Sequence, residues 1–598
     1  MSAAIRPPFE RYASLVDPIV ERLARAPGER AVVLLADDGG ERVVSLAELD
    51  REARAAAAVL RALGIAEGDV VVIVMGHSLG LIASFLGAIY LGAVPTIFPY
   101  LTEKLDPAIY AERVRALVAG AAARAVVTGP EFRAQMVALL QDLDCRVVGD
   151  LGSADERFEA PRDRPEDGSG ETGVTAAATA RGEPRAPAAL WGEALDRIAY
   201  LQFTSGTSGM PKGVPQTHGA LLRYVASGLA VDPFTTDDVI VSWLPLYHDL
   251  GLVTGLLIPL VLGVPTVLMS PFRWVRSPGV LFRAIHDYRG TMCWVPNFAL
   301  NQCTRAVRDR DLEGVDLGHW KSLISGGEPV RADSQEQFRA RFRPYGLRDH
   351  VLQSGYGMAE NVCAATTTDR SRPPRVDWID TAALERDGRA VPVACDAPGA
   401  QSLVSCGAPF PGTEVRVVDD GGRPLPERTV GEIVLRGAYL FSGYYRRKDL
   451  TAAALRDGWF RPGDLGYLAD GELYVCGRKS DLIIVGGRNI QPDDLEALAG
   501  GVAGVLPGRA VAFGVPDARE GTERVVVVCE TRPELDPAAR EELARTLRRR
   551  AARELDVVVG TVHLVAKGWA IKTSNGKLAR RTNREKYLRE TAAAQNPR

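Results

Sequence analysis

The sequence predicts an α/β protein closed by a smaller α+β unit, and three observations carry that prediction. Residues 28 to 150 alternate strand-like runs (Ala31 to Leu35, Val70 to Met75, Ala125 to Thr128) with helical ones (Leu46 to Leu63, Tyr110 to Ala123). That is the pattern of strands layered with helices. A unit also recurs: Leu79-Gly80-Leu81 leads to Leu91-Gly92-Ala93-Val94-Pro95-Thr96, and Leu250-Gly251-Leu252 leads to Leu262-Gly263-Val264-Pro265-Thr266. A repeated helix–turn–strand predicts two similar α/β subdomains side by side, with a crevice for a ligand between them. Last, the chain ends on strand (Arg509 to Val515, Arg524 to Glu530), helix (Pro537 to Leu555) and strand (Val557 to Val565), a small α+β domain.

Length and composition narrow the function classes. At 598 residues the chain exceeds one ordinary domain and allows a large core with a smaller domain attached. Hydrophobic content of 46% and charged content of 25% are those of a soluble globular protein. A net charge of -3, with no long basic run, excludes a polyanion-binding role, so no nucleic-acid partner is expected. The 8 cysteines and 7 histidines show no C-x-x-C pair and no metal-ligand spacing. They predict reduced thiols in a cytoplasmic protein. The N-terminus has no apolar stretch of the secretory kind. Two uncharged runs, His77 to Thr102 and Gly251 to Phe272, are long enough to span a membrane. Each is broken by a Gly/Pro turn and continues as a β-like segment, so a buried helix feeding a buried strand is expected and no transmembrane segment.

Between the first α/β region and the next, Ser153 to Pro187 turns to Ala, Gly, Pro, Glu and Arg. A flexible insertion without chemistry is expected there. The stretch Tyr200 to His218 then carries the strongest signal. A strand end, Leu201-Gln202-Phe203, turns into Thr204-Ser205-Gly206-Thr207-Ser208-Gly209, followed by Pro211-Lys212-Gly213. Glycines permit close backbone approach, so N–H groups converge on an anion while the hydroxyls add donors, and Lys212 supplies a mobile positive charge. Pro at 211 rules out a Walker A loop. An ordinary Gly/Ser/Thr turn has a similar composition, but the density of donors beside one Lys favours a phosphate cradle.

Thr204 to Gly213 resembles, throughout, the phosphate loop T-S-G-T-[ST]-G-x-P-K-G of the adenylate-forming, acyl-activating superfamily. The resemblance runs through roughly seven motifs in family order, over most of the chain. Val239 to Leu252 is a strand entering a turn that presents Tyr247, His248 and Asp249, a candidate acid–base pair or a packed structural His. In the family, His248 matches a residue gating access for the carboxylate, and W-L-P-x-Y-H-D-x-G-L resembles the fatty acyl-AMP ligase branch. Trp320 to Val330, a strand stopped by a turn, resembles the adenine-contacting segment, with Gly326, Gly327 and Glu328 at its edge.

In Leu352 to Asn361, Tyr356 suits base stacking, Gly357 close approach, and Glu360 a hard cation. Met358 and Ala359 complete Y-G-x-A-E. Ala359 stands where the wider superfamily has Thr, and that form is usual in fatty acyl-AMP ligases. Asp377 to Pro409 is polar and rich in Pro and Ala, a long surface excursion by composition. By resemblance, residues 377–405 are the insertion that separates fatty acyl-AMP ligases from acyl-CoA synthetases and restricts domain movement.

Asp464, after a Pro-Gly turn, suits two vicinal hydroxyls or a turn cap. The family makes it the ribose-binding Asp, with Arg478 a second ribose or phosphate contact. The charged junction Gly477 to Glu496 is a hinge candidate, and by resemblance the pivot lies near Ser480. Gly486-Gly487 points the other way, toward CoA-using relatives. In the basic loop Lys572 to Arg581, Lys577 matches the lysine that reaches the large domain during adenylation, with Lys572 the weaker candidate.

The resemblance therefore implies an N-terminal adenylation domain (1–477) of two similar α/β subdomains plus a small β-barrel-like subdomain. A mobile α+β lid (478–598) follows. It implies ATP and Mg²⁺ as cofactors and activation of a fatty acid, medium to long in chain, to acyl-AMP. Transfer then goes to an acyl carrier protein, or to CoA in the alternative reading of an acyl-CoA synthetase. A catalytically silent nucleotide- or lipid-binding protein of the same fold is the alternative of another class. Trp243, Trp294 and Phe298 are candidate walls of the acyl pocket.

Overall fold

The computed structural model describes residues 3–101, 107–149, 151, 195–204, 212–485, 488–517, 522–533, 535–573 and 576–595. The expected insertion at 153–187, the loop residues 205–211 and the Gly486-Gly487 turn lie outside the described residues.

The largest sheet has nine strands. From one edge they run Ala408–Pro409, Ala364–Thr367, Leu352–Gly357, Ser322–Ser325, Met292–Val295, Ile240–Ser242, Thr266–Met269, Arg30–Leu35 and Glu41–Ser45. The inner pairings are parallel, and the strands are mostly buried on both faces, with a few polar residues such as Ser322, Ser325 and Gln353 among the apolar ones. A second, four-stranded parallel sheet is built from Val94–Ile97, Val70–Val74, Ala125–Thr128 and Arg146–Val148.

The repeated unit folds as read, once in each sheet. Helix Leu79–Leu91 stops at Gly92 (φ +81°) and feeds strand Val94–Ile97; helix Ile258–Leu262 stops at Gly263 (φ +77°) and feeds Thr266–Met269. Both glycines take the left-handed geometry that ends a helix. The second copy is entered through a π-helical stretch, Leu250–Leu257. Pro259 has no N–H to offer the carbonyl of Gly255, which accepts from Thr266 Oγ1 instead (2.8 Å).

One grouping differs from the sequence reading. Residues 28 to 150 do not form a single layer, because Arg30–Leu35 leaves the four-stranded sheet and pairs in parallel with Thr266–Met269. Val32 and Val33 are fully buried there, and no periodicity within the N-terminal region encodes a partner so distant in sequence. Helix Leu46–Ala62 then packs on Leu79–Leu91. A Cβ on Gly87 would sit 2.6 Å from the Ala53 carbonyl, so this contact needs a glycine.

Antiparallel strands Thr413–Val418, Gly431–Gly437, Leu455–Arg456, Trp459–Phe460, Asp464–Ala469 and Glu472–Arg478 make a third sheet. Its hairpin turns at Asp470 and Gly471, both at positive φ. The segment expected to be a surface excursion is ordered: Val376–Asp380 and Ala400–Val404 pair as an antiparallel ribbon around helix Thr381–Asp387. Ile379 and Leu384 bury against Tyr467 and Tyr474 of the third sheet; a few apolar anchors suffice where composition alone reads as polar. Beyond Arg478 a separate core begins at Ile483. It is formed by strands Val505–Asp517, Thr522–Thr531 and Val559–Val565 with helices Pro492–Gly500 and Pro537–Glu554. The 8 cysteines are all free. Among the described residues no helix is long and apolar enough to cross a membrane.

Candidate active site

The parallel strands Met292–Val295, Ser322–Ser325 and Leu352–Gly357 all end on one side of the large sheet, and a cavity of about 1930 Å³ opens there beneath the C-terminal core. Ligand sites of open α/β sheets lie at such carboxyl ends. Thr204, Lys212, His248, Gly326, Gly327, Glu328, Tyr356, Gly357, Met358, Ala359, Glu360, Asp464, Arg478 and Lys577 all line it. Residues spread over most of the chain thus converge on one space. Ser205, Gly206, Thr207, Ser208 and Gly209 fall outside the described residues. Ser480 does not line the cavity; it stands just after the last strand of the third sheet, its Oγ donating to Asp481 (3.0 Å).

Thr204 and Lys212 face each other across an antiparallel ribbon, so the strands fix both ends of the candidate phosphate loop. Lys212 Nζ lies 5.0 Å from the ring centre of Tyr444, and the Tyr444 hydroxyl donates to Glu360 Oε1 (2.7 Å). Glu360 is buried at 8% exposure. Burial raises its pKa, and Asp249 adds to that, while the Tyr444 hydrogen bond and Lys212 oppose. The turn after it is strained: Val362, β-branched, has φ +65°, held by Asn361, whose Nδ2 donates to Ala364 O and Thr413 Oγ1. Gly357 is needed for close approach, as the sequence suggested, but of the chain itself. A Cβ there would fall 1.8 Å from the Cys363 carbonyl.

The Tyr356 hydroxyl donates to Asp464 Oδ2 (2.7 Å), and Arg478 Nε forms an ion pair with Asp464 Oδ1 (3.0 Å). Both carboxylate oxygens of the candidate ribose residue therefore have a partner within the protein. His248 Nδ1 meets Asp249 Oδ1 at 2.6 Å. Burial opposes ionisation of Asp249, but His248 and the Leu250 N–H hold its carboxyl below the ordinary range. Gln202 Nε2 donates to Tyr247 O (2.8 Å), tying this turn to the phosphate-loop ribbon. Glu328 accepts from the Phe298 N–H (2.5 Å); burial raises its pKa, and Lys577 works against the rise.

Lys577 enters from the C-terminal core on a clamped loop. The Thr573 N–H donates to Lys577 O (2.7 Å), and the Lys577 N–H donates to Thr573 Oγ1 (3.2 Å). Asn583, fully buried, accepts from the Ile571 N–H and donates to the carbonyls of Ile571 and Ala579. Lys577 is exposed and faces the cavity, whose surrounding walls partly desolvate its ammonium. Desolvation lowers its pKa, Glu328 raises it, Arg478 lowers it again, and the net direction is down. Lys572 lines the same cavity. The loop is held over the site by ties between the two cores: Arg331 to Asp494 (2.7 Å), Gln401 to Asp494 (3.0 Å) and Arg488 to Glu385 (2.5 Å). Sequence reasoning missed Tyr444, Arg331 and Asn583. Tyr444 and Arg331 sit in no recognisable motif, and Asn583 lies on a helix whose pattern is that of a charged surface.

The profile of the AMP-binding enzyme family matches residues 19–445. The chain belongs to that family. Relatives of the chain include the long-chain-fatty-acid–AMP ligase FadD26 of Mycobacterium marinum. That protein is 31% identical over 87% of this chain and 87% of its own length. The medium-chain-fatty-acid–[acyl-carrier-protein] ligase JamA of Moorena producens is 34% identical over 66% of this chain and 69% of its own. A solved structure from work on the fatty acyl-adenylate ligases of E. coli and L. pneumophila superposes with a TM-score of 0.84. It is 28% identical and covers 98% of this chain and 100% of its own. The fold of this family member is thus that of adenylate-forming enzymes, with the large N-terminal part and smaller C-terminal part described above.

Proposed function

We propose that the protein is a cytoplasmic fatty acyl-AMP ligase. It activates a medium- to long-chain fatty acid with ATP and passes the acyl group to the phosphopantetheine thiol of an acyl carrier protein, in lipid, polyketide or peptide biosynthesis. The observation that carries this reading is the meeting of Lys577 with Glu328, Asp464 and Arg478 in a cavity that continues into apolar walls including Trp243, Trp294 and Phe298. A carboxylate oxygen attacks the α-phosphorus in line. The bond from that phosphorus to the β-phosphate oxygen breaks, and pyrophosphate leaves with the electron pair. The thiol sulfur then attacks the acyl carbon and AMP departs.

Little covalent chemistry falls to the protein, which positions the reactants and neutralises developing charge. The phosphate loop from Thr204 through Ser205, Gly206, Thr207, Ser208 and Gly209 to Lys212 cradles phosphate. Tyr356, with Gly326, Gly327, Glu328, Gly357, Met358 and Ala359, frames the adenine, Asp464 and Arg478 hold the ribose, and His248 admits the carboxylate. Lys577 stabilises the charge of the transition state. Among the described residues no group of three or more His, Cys, Asp or Glu could hold a metal. One buried carboxylate, Glu360, at the phosphate end of the cavity fits Mg²⁺, which keeps few protein ligands and relies on substrate phosphates. Bound there, Mg²⁺ supplies neutralisation of phosphate charge.

Asp464→Asn tests the ribose assignment. It keeps the shape but weakens acceptance from two hydroxyls, and the KM for ATP should rise about tenfold, the effect of losing one charged hydrogen bond. An unchanged KM would reduce Asp464 to a clamp for Tyr356 and Arg478.

The decisive experiment is mass spectrometry of products formed from ATP, magnesium and a ladder of fatty acids, with and without CoA. Acyl-AMP that accumulates and ignores CoA supports the proposal; rapid acyl-CoA formation makes the protein an acyl-CoA synthetase; no adenylate leaves a silent binding protein. The lid (478–598) pivots near Ser480 between the two steps, and residues 377–405 restrain it. Glu385 lies in that ribbon and grips Arg488 of the C-terminal core. In Glu385→Ala, removing a charge-assisted bond worth about 1.4 kcal/mol should raise the rate of acyl-CoA formation about tenfold. A rate that does not move takes the restraint away from this contact.

A further inference from the structure

The acyl corridor ends on a charge pair that the adenylation chemistry leaves unused. From His248 and Asp249 the cavity passes between helix His218–Val231 and the sheet face that carries Trp294 and Ile324. Asp232, the residue that caps this helix, is ion-paired with Arg370 at the far end, and both line the cavity. From Tyr224, which meets Cys363 near Asp249, to Val231 the helix climbs roughly 10 Å. A second yardstick agrees. Arg370 Nη1 lies 3.4 Å from the sulfur of Met292, the first residue of strand Met292–Val295, whereas Phe298, just past its end, touches Glu328. That strand also spans about 10 Å.

The pair is only partly covered. Asp232 and Arg370 keep 21% and 20% of their side-chain surface accessible, while Arg370 Nε and Asp232 Oδ2 are covered by the protein and take no hydrogen bond, so the remaining edge of the pair is what the cavity meets. A methyl terminus arriving here would strip water from two charges and return no bond. A carboxylate would be repelled by Asp232, and an ammonium by Arg370. A neutral hydroxyl answers both, accepting from the guanidinium and donating to the carboxylate.

We propose that the protein selects acids bearing a hydroxyl at the end remote from the carboxyl, held against the accessible edge of the Arg370–Asp232 pair. The proposal rests on the acyl-activating function above.

The test is ATP–pyrophosphate exchange with acids from hexanoic to hexadecanoic. Each methyl-terminated acid is matched with a terminally hydroxylated alkyl acid and with a 4-hydroxyphenyl acid of similar length. At one length a hydroxy acid of either series should exceed its methyl partner by about 10²-fold in kcat/KM, because a site built to bond a hydroxyl discriminates strongly. The series that shows the preference identifies which scaffold carries the hydroxyl. The paired change Arg370→Met with Asp232→Leu strands neither charge and should abolish the preference, with hexanoate, too short to reach the pair, activated as before. Should that variant not fold, Arg370→Lys, which lacks the planar fork of donors, must shrink the ratio. Equal kcat/KM at every length in the wild type overturns the proposal, as does a preference that the variants keep. Activation of hexanoate without any hydroxyl preference sinks the specificity alone; no exchange with any acid sinks the acyl-activating reading as well.

Discussion

Lys577→Ala should lower adenylation by about 10²-fold or more, as removal of one preorganised transition-state donor does, with ATP binding little changed. The expectation follows from where the ammonium sits. It hangs from a loop pinned at both ends by Asn583 and reaches a cavity lined by Glu328, Arg478 and Asp464. Its energy is of use where new negative charge appears, at the α-phosphorus as the pentacoordinate state forms, and less where ground-state ATP is held by the phosphate loop. A second readout separates chemistry from packing. Desolvation lowers the Lys577 pKa, and this outweighs the opposing pull of Glu328. The cation is therefore lost at a lower pH than in a freely solvated lysine, and kcat/KM should fall as pH rises through that value. Lys577→Arg stays charged throughout, so its alkaline limb should move to higher pH even if its rate is reduced. Full activity in Lys577→Ala, or an unmoved limb in Lys577→Arg, removes this residue from the reaction.

How far the sequence reached depends on how local each piece of chemistry is. The helix–turn–strand unit was legible because Gly92 and Gly263 mark the same helix stop twice. The order of the ribbon at 376–404 was not legible. Its anchors, Ile379 and Leu384, are two apolar residues among many polar ones, and their partners Tyr467 and Tyr474 lie far along the chain. The pairing of Arg30–Leu35 with Thr266–Met269 was hidden for the same reason. Within the site, motif position located Asp464 and Glu360 but said nothing of their partners. Tyr356 and Arg478 each meet one oxygen of the first, and Tyr444, from a segment with no motif, holds the second. Sequence patterns record which groups are present; which group each one faces is settled by long-range packing.

Glu360→Gln should cost on the order of 10²-fold in pyrophosphate exchange, because even outer-shell changes at metal sites cost up to that much. The substitution is close to isosteric. The amide oxygen can still accept from the Tyr444 hydroxyl, so the strained turn at Val362 keeps its support and thermal stability should hold. What disappears is a full negative charge, kept in a buried position where desolvation already works against it. A fold gains nothing from an ionised glutamate whose hydrogen-bond partner is the neutral Tyr444 hydroxyl, and replacing such a group by a neutral one is often neutral or stabilising. Its charge makes sense when a cation arrives with the nucleotide. Exchange should therefore require magnesium in the wild type and be lost on chelation, while Glu360→Gln should need a higher magnesium concentration for half-maximal rate. If the variant's magnesium dependence matches the wild type's and only its melting temperature moves, Glu360 is a structural partner of Tyr444. The cation site must then be sought at Asp249, the carboxylate whose field Glu360 already feels.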